Sequence, residues 1–132
     1  MERFIGTLSI FILMSVLSSC LTLGDDESNK LIKESANKIH TKKAILFLRE
    51  GGATVGDSYQ VSLVDCKSAF DTTVVGNTFT VDDDHGKARL YPASINFKWL
   101  TDNNIEISYD KRLRTFIMEQ SVNGVKVVYK TN

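Results

Sequence analysis

Apolar and polar positions divide this chain into three regimes. Residues 4–17 form a nearly continuous apolar run, residues 21–41 are mostly polar without alternation, and from Lys42 onward short apolar runs are punctuated by turn residues. The third regime predicts strands, because successive side chains of a strand point to opposite faces and a one-sided strand therefore alternates. Lys43 to Arg49 is a compact apolar run bounded by charges, which fits a central strand buried on both faces. Tyr59, Val61 and Leu63 alternate with Gln60 and Ser62, so the next strand is expected to bury one face and wet the other. The two would form a hairpin across the glycine-containing segment 51–57.

Further along, Val74-Val75 and Thr78 to Val81 read as short strand pieces around Gly76-Asn77. Ile95, Phe97 and Trp99 then face Ile105, Ile107 and Tyr109 across a turn at 101–104, with Asn96, Lys98, Glu106 and Ser108 outside. Arg114 to Val122 and Val125 to Lys130 flank Asn123-Gly124, a dipeptide suited to a type I′ turn. The expected fold is all-β: a mostly antiparallel meander of six to eight strands, packed as a β-sandwich or a strongly curved sheet.

The polar second regime carries two readings. Leu31, Ile32, Ser35, Ala36 and Ile39 fall near one side of a helix whose amino end would suit Asp25, Asp26 and Glu27, so a short helix is one. A tether poor in apolar residues is the other.

The opening run has the shape of an export signal, with apolar residues giving way to small ones at Ser18 and Ser19 before Cys20. Leu17-Ser18-Ser19-Cys20 resembles the lipobox of bacterial lipoproteins. That resemblance implies cleavage before Cys20, diacylglycerol on its thiol and an N-acyl group on the new amino terminus. It also implies a membrane attached through lipid, an outer membrane if the cell is diderm, since Leu21 and not aspartate follows the lipid site. An uncleaved anchor over residues 4–24 is the alternative, but the serines and threonine after Leu17 suit cleavage better. The resulting division is a signal peptide at 1–19, a lipid-anchored linker at 20–41 and one β-rich domain at 42–132.

Charge narrows the partners. The whole chain has sixteen basic and sixteen acidic residues, and loss of Glu2 and Arg3 with residues 1–19 leaves fifteen of each, so no positive field favours nucleic acid. With Cys20 lipidated, Cys66 has no disulfide partner within the chain, and its place at the end of an apolar strand predicts a buried, inert thiol.

Several clusters are candidates for chemistry. Asp82, Asp84 and His85 lie on a glycine-ended loop that echoes a calcium site, yet Ala93 stands where the closing glutamate belongs, so no metal is expected. Arg112 and Arg114 would share one face of an extended segment, with Leu113 on the other, giving a basic edge for a partner or an anionic membrane surface; blocking of edge pairing explains such residues equally well. His40 and His85 belong to no nucleophile or zinc motif, so no enzyme and no cofactor are expected beyond the lipid.

An apolar strand followed by Gly51-Gly52-Ala53-Thr54, then Ser58, Gln60, Val61 and Ser62, and later Trp99 and Asp102, resembles a group of small uncharacterised exported bacterial proteins. The group implies an envelope location and no activity. The expectation is a non-enzymatic envelope lipoprotein whose β-domain binds a protein partner in an inhibitor, immunity or accessory role. A cell-wall or small-ligand binding module is the alternative, and an envelope enzyme comes third.

Overall fold

The computed structural model describes residues 28–52 and 55–132. The signal segment and the lipid site at Cys20 lie outside them, as do Ala53 and Thr54. In chain order the strands are β1 (Asn29–Ala36), β2 (Lys42–Arg49), β3 (Ser58–Asp65), β4 (Phe79–Asp82), β5 (Ile95–Thr101), β6 (Asn104–Tyr109), β7 (Arg114–Met118), β8 (Ser121–Val122) and β9 (Val125–Thr131), with a 3₁₀ turn at Pro92–Ser94.

They form two sheets, ordered β1-β2-β3-β4-β7 and β5-β6-β9-β8, whose inner faces share one apolar core. Leu46, Val61, Leu63 and Phe79 from the first sheet meet Ile95, Ile105, Ile107 and Val125 from the second, all fully buried. Each such side chain contributes about 1.5–3 kcal/mol by leaving water. The all-β sandwich therefore stands, with nine strands among the described residues and one parallel pair, β6 with β9, in an otherwise antiparallel arrangement.

Both hairpins expected before residue 110 are present. β2 pairs with β3 from Lys42↔Asp65 to Arg49↔Ser58, and β5 pairs with β6, placing Ile95 opposite Tyr109 and Phe97 opposite Ile107. Asn123 and Gly124 take left-handed φ of 51° and 78°, closing a tight turn between β8 and β9.

Four local expectations are corrected. Residues 29–36 are neither helix nor tether; they form β1, antiparallel to β2, so the sheet begins before residue 42. A register shift between Leu31 and Lys33 breaks the alternation that would have marked the strand, and its polar groups are used for bonding across the sandwich. Lys33 Nζ donates to the carbonyls of Pro92 and Ile95, and Trp99 Nε1 donates to the Ser35 carbonyl at 3.0 Å.

Gln60 and Ser62 are not wetted. The segment after β3 folds back over the outer face of the sheet, where Gly76 N donates to Gln60 Oε1 at 2.7 Å and Asn77 N to Ser62 Oγ at 3.2 Å. Phe70 packs on Phe47 with ring centroids 5.6 Å apart, which anchors the same segment. Ahead of Phe79, where β4 has not begun, the Asn77 side chain bonds both the amide and the carbonyl of Leu63, standing in for a strand residue.

Val74 and Val75 are exposed and outside any strand, because the segment carrying them is held by polar bonds to Asn29 and Arg49. The expected strand from Arg114 to Val122 is divided: β7 pairs with β4 in the first sheet, and after Glu119-Gln120 the chain enters the second sheet as β8.

Candidate functional site

Across the first sheet, pairing aligns Asn29 with Arg49, Arg49 with Ser58, Ser58 with Asp82, and Asp82 with Arg114. This transverse row marks the end of the sheet where the chain enters from residue 28. On the outer face of that end lies a cleft of about 580 Å³, lined by Val55, Ser58, Thr80, Asp82, His85, Arg114 and Phe116 among others.

Its centre is the Asp82–Arg114 pair. Arg114 Nε donates to Asp82 Oδ1 at 3.1 Å and Nη2 to Oδ2 at 2.5 Å, the two-point geometry a planar guanidinium favours. Burial pushes the Asp82 carboxyl up, but hydrogen bonds from Arg114 and from the Asp84 amide, with the charges of Arg114 and His85, outweigh it. The group sits below the ordinary aspartate range. Arg114 Nη1 also faces His85 Nε2 at 3.1 Å. Because a guanidinium has no acceptor, this contact is a hydrogen bond only in the neutral tautomer whose Nε2 is unprotonated.

The loop that delivers His85 is sharply turned, with left-handed φ at Asp84, His85 and Gly86 of 49°, 59° and 82°. Beside it, the Arg114 guanidinium lies 4.8 Å from the ring centroid of Phe116, a residue that is 56% exposed. The cation holds the ring at the rim of the cleft. Thr80 lies in the cleft wall and is 8% exposed; its hydroxyl has no hydrogen-bond partner among the described residues.

The candidates singled out along the chain are thus partly gathered and partly dispersed. Asp82, His85 and Arg114 meet, whereas Asp84 turns to Lys87 at 3.4 Å. Among the described residues no three metal-capable side chains converge, and both Asp82 oxygens are taken by Arg114. Arg112 and Arg114 do not share an extended face, since Lys111 and Arg112 form a turn before β7 begins. Arg112 is held by Asp110 at 2.6 Å, and it lines a separate cleft of about 700 Å³ with Tyr91, Pro92 and Ser94. The same bond holds the Asp110 carboxyl at about 2. Leu113 is buried in the core.

Cys66 is half-exposed and not buried, at the margin of a shallow depression with His40 and Lys67. Its amide donates to Thr41 O at 3.0 Å, which fixes the backbone and leaves the side chain at the surface. Phe116 and Thr80 were not singled out from the sequence. An aromatic in an apolar run and a threonine in a strand carry no local signal of a cleft.

No protein-family model matches the chain, and no curated protein or solved structure is detectably similar to it. Among the described residues no helix is long and apolar enough to cross a membrane.

Proposed function

We propose that this chain is a non-enzymatic cell-envelope lipoprotein, acylated at Cys20, whose β-sandwich binds a protein partner through the Arg114–Phe116 cleft. The observation that carries the binding reading is the half-exposed Phe116 ring held against a guanidinium on the last strand of a sheet. Aromatic and arginine side chains dominate the residues whose loss most weakens protein interfaces.

The anchor gives the cleft its context. Nine residue steps separate Cys20 from Asn29, so the sandwich stays within about 30 Å of the lipid. The Asn29-to-Arg114 row puts the cleft at the end where that chain enters. A partner in or on the same membrane then meets it at high effective concentration. Inhibitor, immunity and accessory roles all use such an arrangement.

Two measurements test the two halves separately. Labelled palmitate should enter the wild-type chain and not Cys20→Ala; equal, negligible labelling of both rejects the lipoprotein. Crosslinking on intact membranes followed by affinity purification should enrich one envelope protein, with recovery about tenfold lower for Phe116→Ala. Recovery that is the same for both chains rejects the cleft as the docking site.

The polar lining that Ser58, Asp83 and His85 give the cleft favours a second reading, a small polar ligand such as a cell-wall fragment bound there. Calorimetric titration with soluble wall fragments should then give heat that His85→Asn strongly reduces. No heat with the wild-type chain removes this reading.

A further inference from the structure

β7 is the last strand of its sheet, and among the described residues no strand pairs with it on the side away from β4. Its side chains Phe116, Ile117 and Met118 are all exposed. Unpaired, apolar sheet edges invite a further strand unless they are blunted by charge, proline or irregularity. The irregularity here is one bulge, and it dictates what can bind.

Pairing with β4 runs Phe79↔Met118, Thr80↔Ile117, then Val81↔Thr115 and Asp82↔Arg114, with Phe116 as the extra residue. Glu119 N donates to Thr78 O at 2.9 Å, so the Glu119 N–H turns toward β4, while its carbonyl accepts from Tyr129 Oη at 2.6 Å. Opposite pairs alternate between hydrogen-bonded and non-hydrogen-bonded along an antiparallel ladder. Met118 and Thr115 therefore direct their N–H and C=O to the open side. In a regular strand the open-side residues are two apart, and here the bulge sets them three apart.

A regular strand laid against β7 matches one of these positions and misses the other. A second β7 laid antiparallel matches both, with Thr115 opposite Met118 of the second copy and the reverse. The same alignment brings Arg114 opposite Glu119, the residue that follows β7, at each end, with Phe116 and Ile117 of both copies gathered round the axis between them. Charge, backbone spacing and apolar surface are all self-complementary, as a twofold interface requires. We infer that this chain forms a symmetric homodimer by antiparallel pairing of β7 with β7 of a second copy. The two Arg114–Phe116 clefts then lie side by side, presenting a doubled surface. The inference is independent of the lipid anchor but shares Arg114 and Phe116 with the proposed docking cleft, so Glu119→Arg, which touches neither, tests the pairing separately.

The test uses the full chain in detergent, in a Cys66→Ser background. Sedimentation equilibrium should show a dimer, and Glu119→Arg, which sets like charges opposite one another, should weaken it about tenfold or more. Mixing chains carrying Thr115→Cys with chains carrying Met118→Cys should yield a disulfide-linked dimer between the two kinds of chain on oxidation. Neither chain alone should crosslink through its introduced cysteine. A monomer at every concentration, or crosslinking of Thr115→Cys to itself in preference to the mixed pair, overturns the proposal. Unchanged circular dichroism of each variant separates loss of pairing from loss of fold.

Discussion

The indole of Trp99 in β5 donates to the Ser35 carbonyl of β1 at 3.0 Å, joining the edge strands of opposite sheets across 64 positions of sequence. Lys33 reinforces the seam by reaching the Ile95 and Pro92 carbonyls, and burial pulls its ammonium pKa down. The first-sheet edge is therefore tied to the second sheet and not left open to further pairing. Trp99→Phe keeps much of the packing but removes the donor. It should cost about 0.5–1.5 kcal/mol, read as a lower urea midpoint by far-ultraviolet circular dichroism.

Asn37, 1% exposed, is a comparable hub. Its Oδ1 accepts from the amides of Thr41 and Lys42, while Nδ2 donates to Thr41 Oγ1 and to the Asp102 carbonyl of the β5–β6 turn. Asn37→Ala leaves those groups without partners at a site closed to water. The expected loss is about 2–3 kcal/mol in urea unfolding, larger than for Trp99→Phe.

Gly76 lies so close to β3 that an added Cβ would sit 2.9 Å from Gln60 Cβ and 3.0 Å from the Val61 carbonyl. Gly76→Ala must displace the covering segment, and about 1–3 kcal/mol of destabilisation is expected. Gly56→Ala, where a Cβ meets nothing within 4 Å, is the control and should unfold at nearly the wild-type midpoint.

Asp82 and Asp110 have carboxyls depressed in the folded chain, one against Arg114 and one against Arg112. Their contributions to stability are complete above the ordinary aspartate pKa of about 3.9 and are lost as the pH falls through the folded values. For Asp110 that window runs down to about 2. Asp82→Asn and Asp110→Asn should each flatten the acid limb of a stability-against-pH curve below about pH 4 and leave its slope near neutrality unchanged.

The β5–β6 hairpin was legible because every signal agreed: three apolar residues on each strand alternated with polar ones around a polar turn. β1 was not, since its bulge at Ile32 offsets the alternation and its inward-turned positions include the polar Lys33 and Ser35, which do not mark a buried strand face. Gln60 and Ser62 misled for the converse reason: they are polar yet buried, because a loop whose course depends on Asn77 and Gly76 lies over them. The cleft was half legible. Asp82 and His85 stood out as a cluster, but Arg114 is 32 positions beyond Asp82, and only the β4–β7 pairing brings it there.

Asn29 also has a mechanical consequence. Its amide holds Thr72 O at 2.8 Å, its Nδ2 reaches the carbonyls of Asp71 and Val74, and its Oδ1 accepts from Arg49 at 3.1 Å. A pull on the chain ahead of residue 28 reaches these four bonds before it reaches the rest of β1. Three tie it to the segment 71–74 and one to Arg49 of β2, so the load is shared between that segment and the sheet, and β1 is not peeled from β2 one pair at a time.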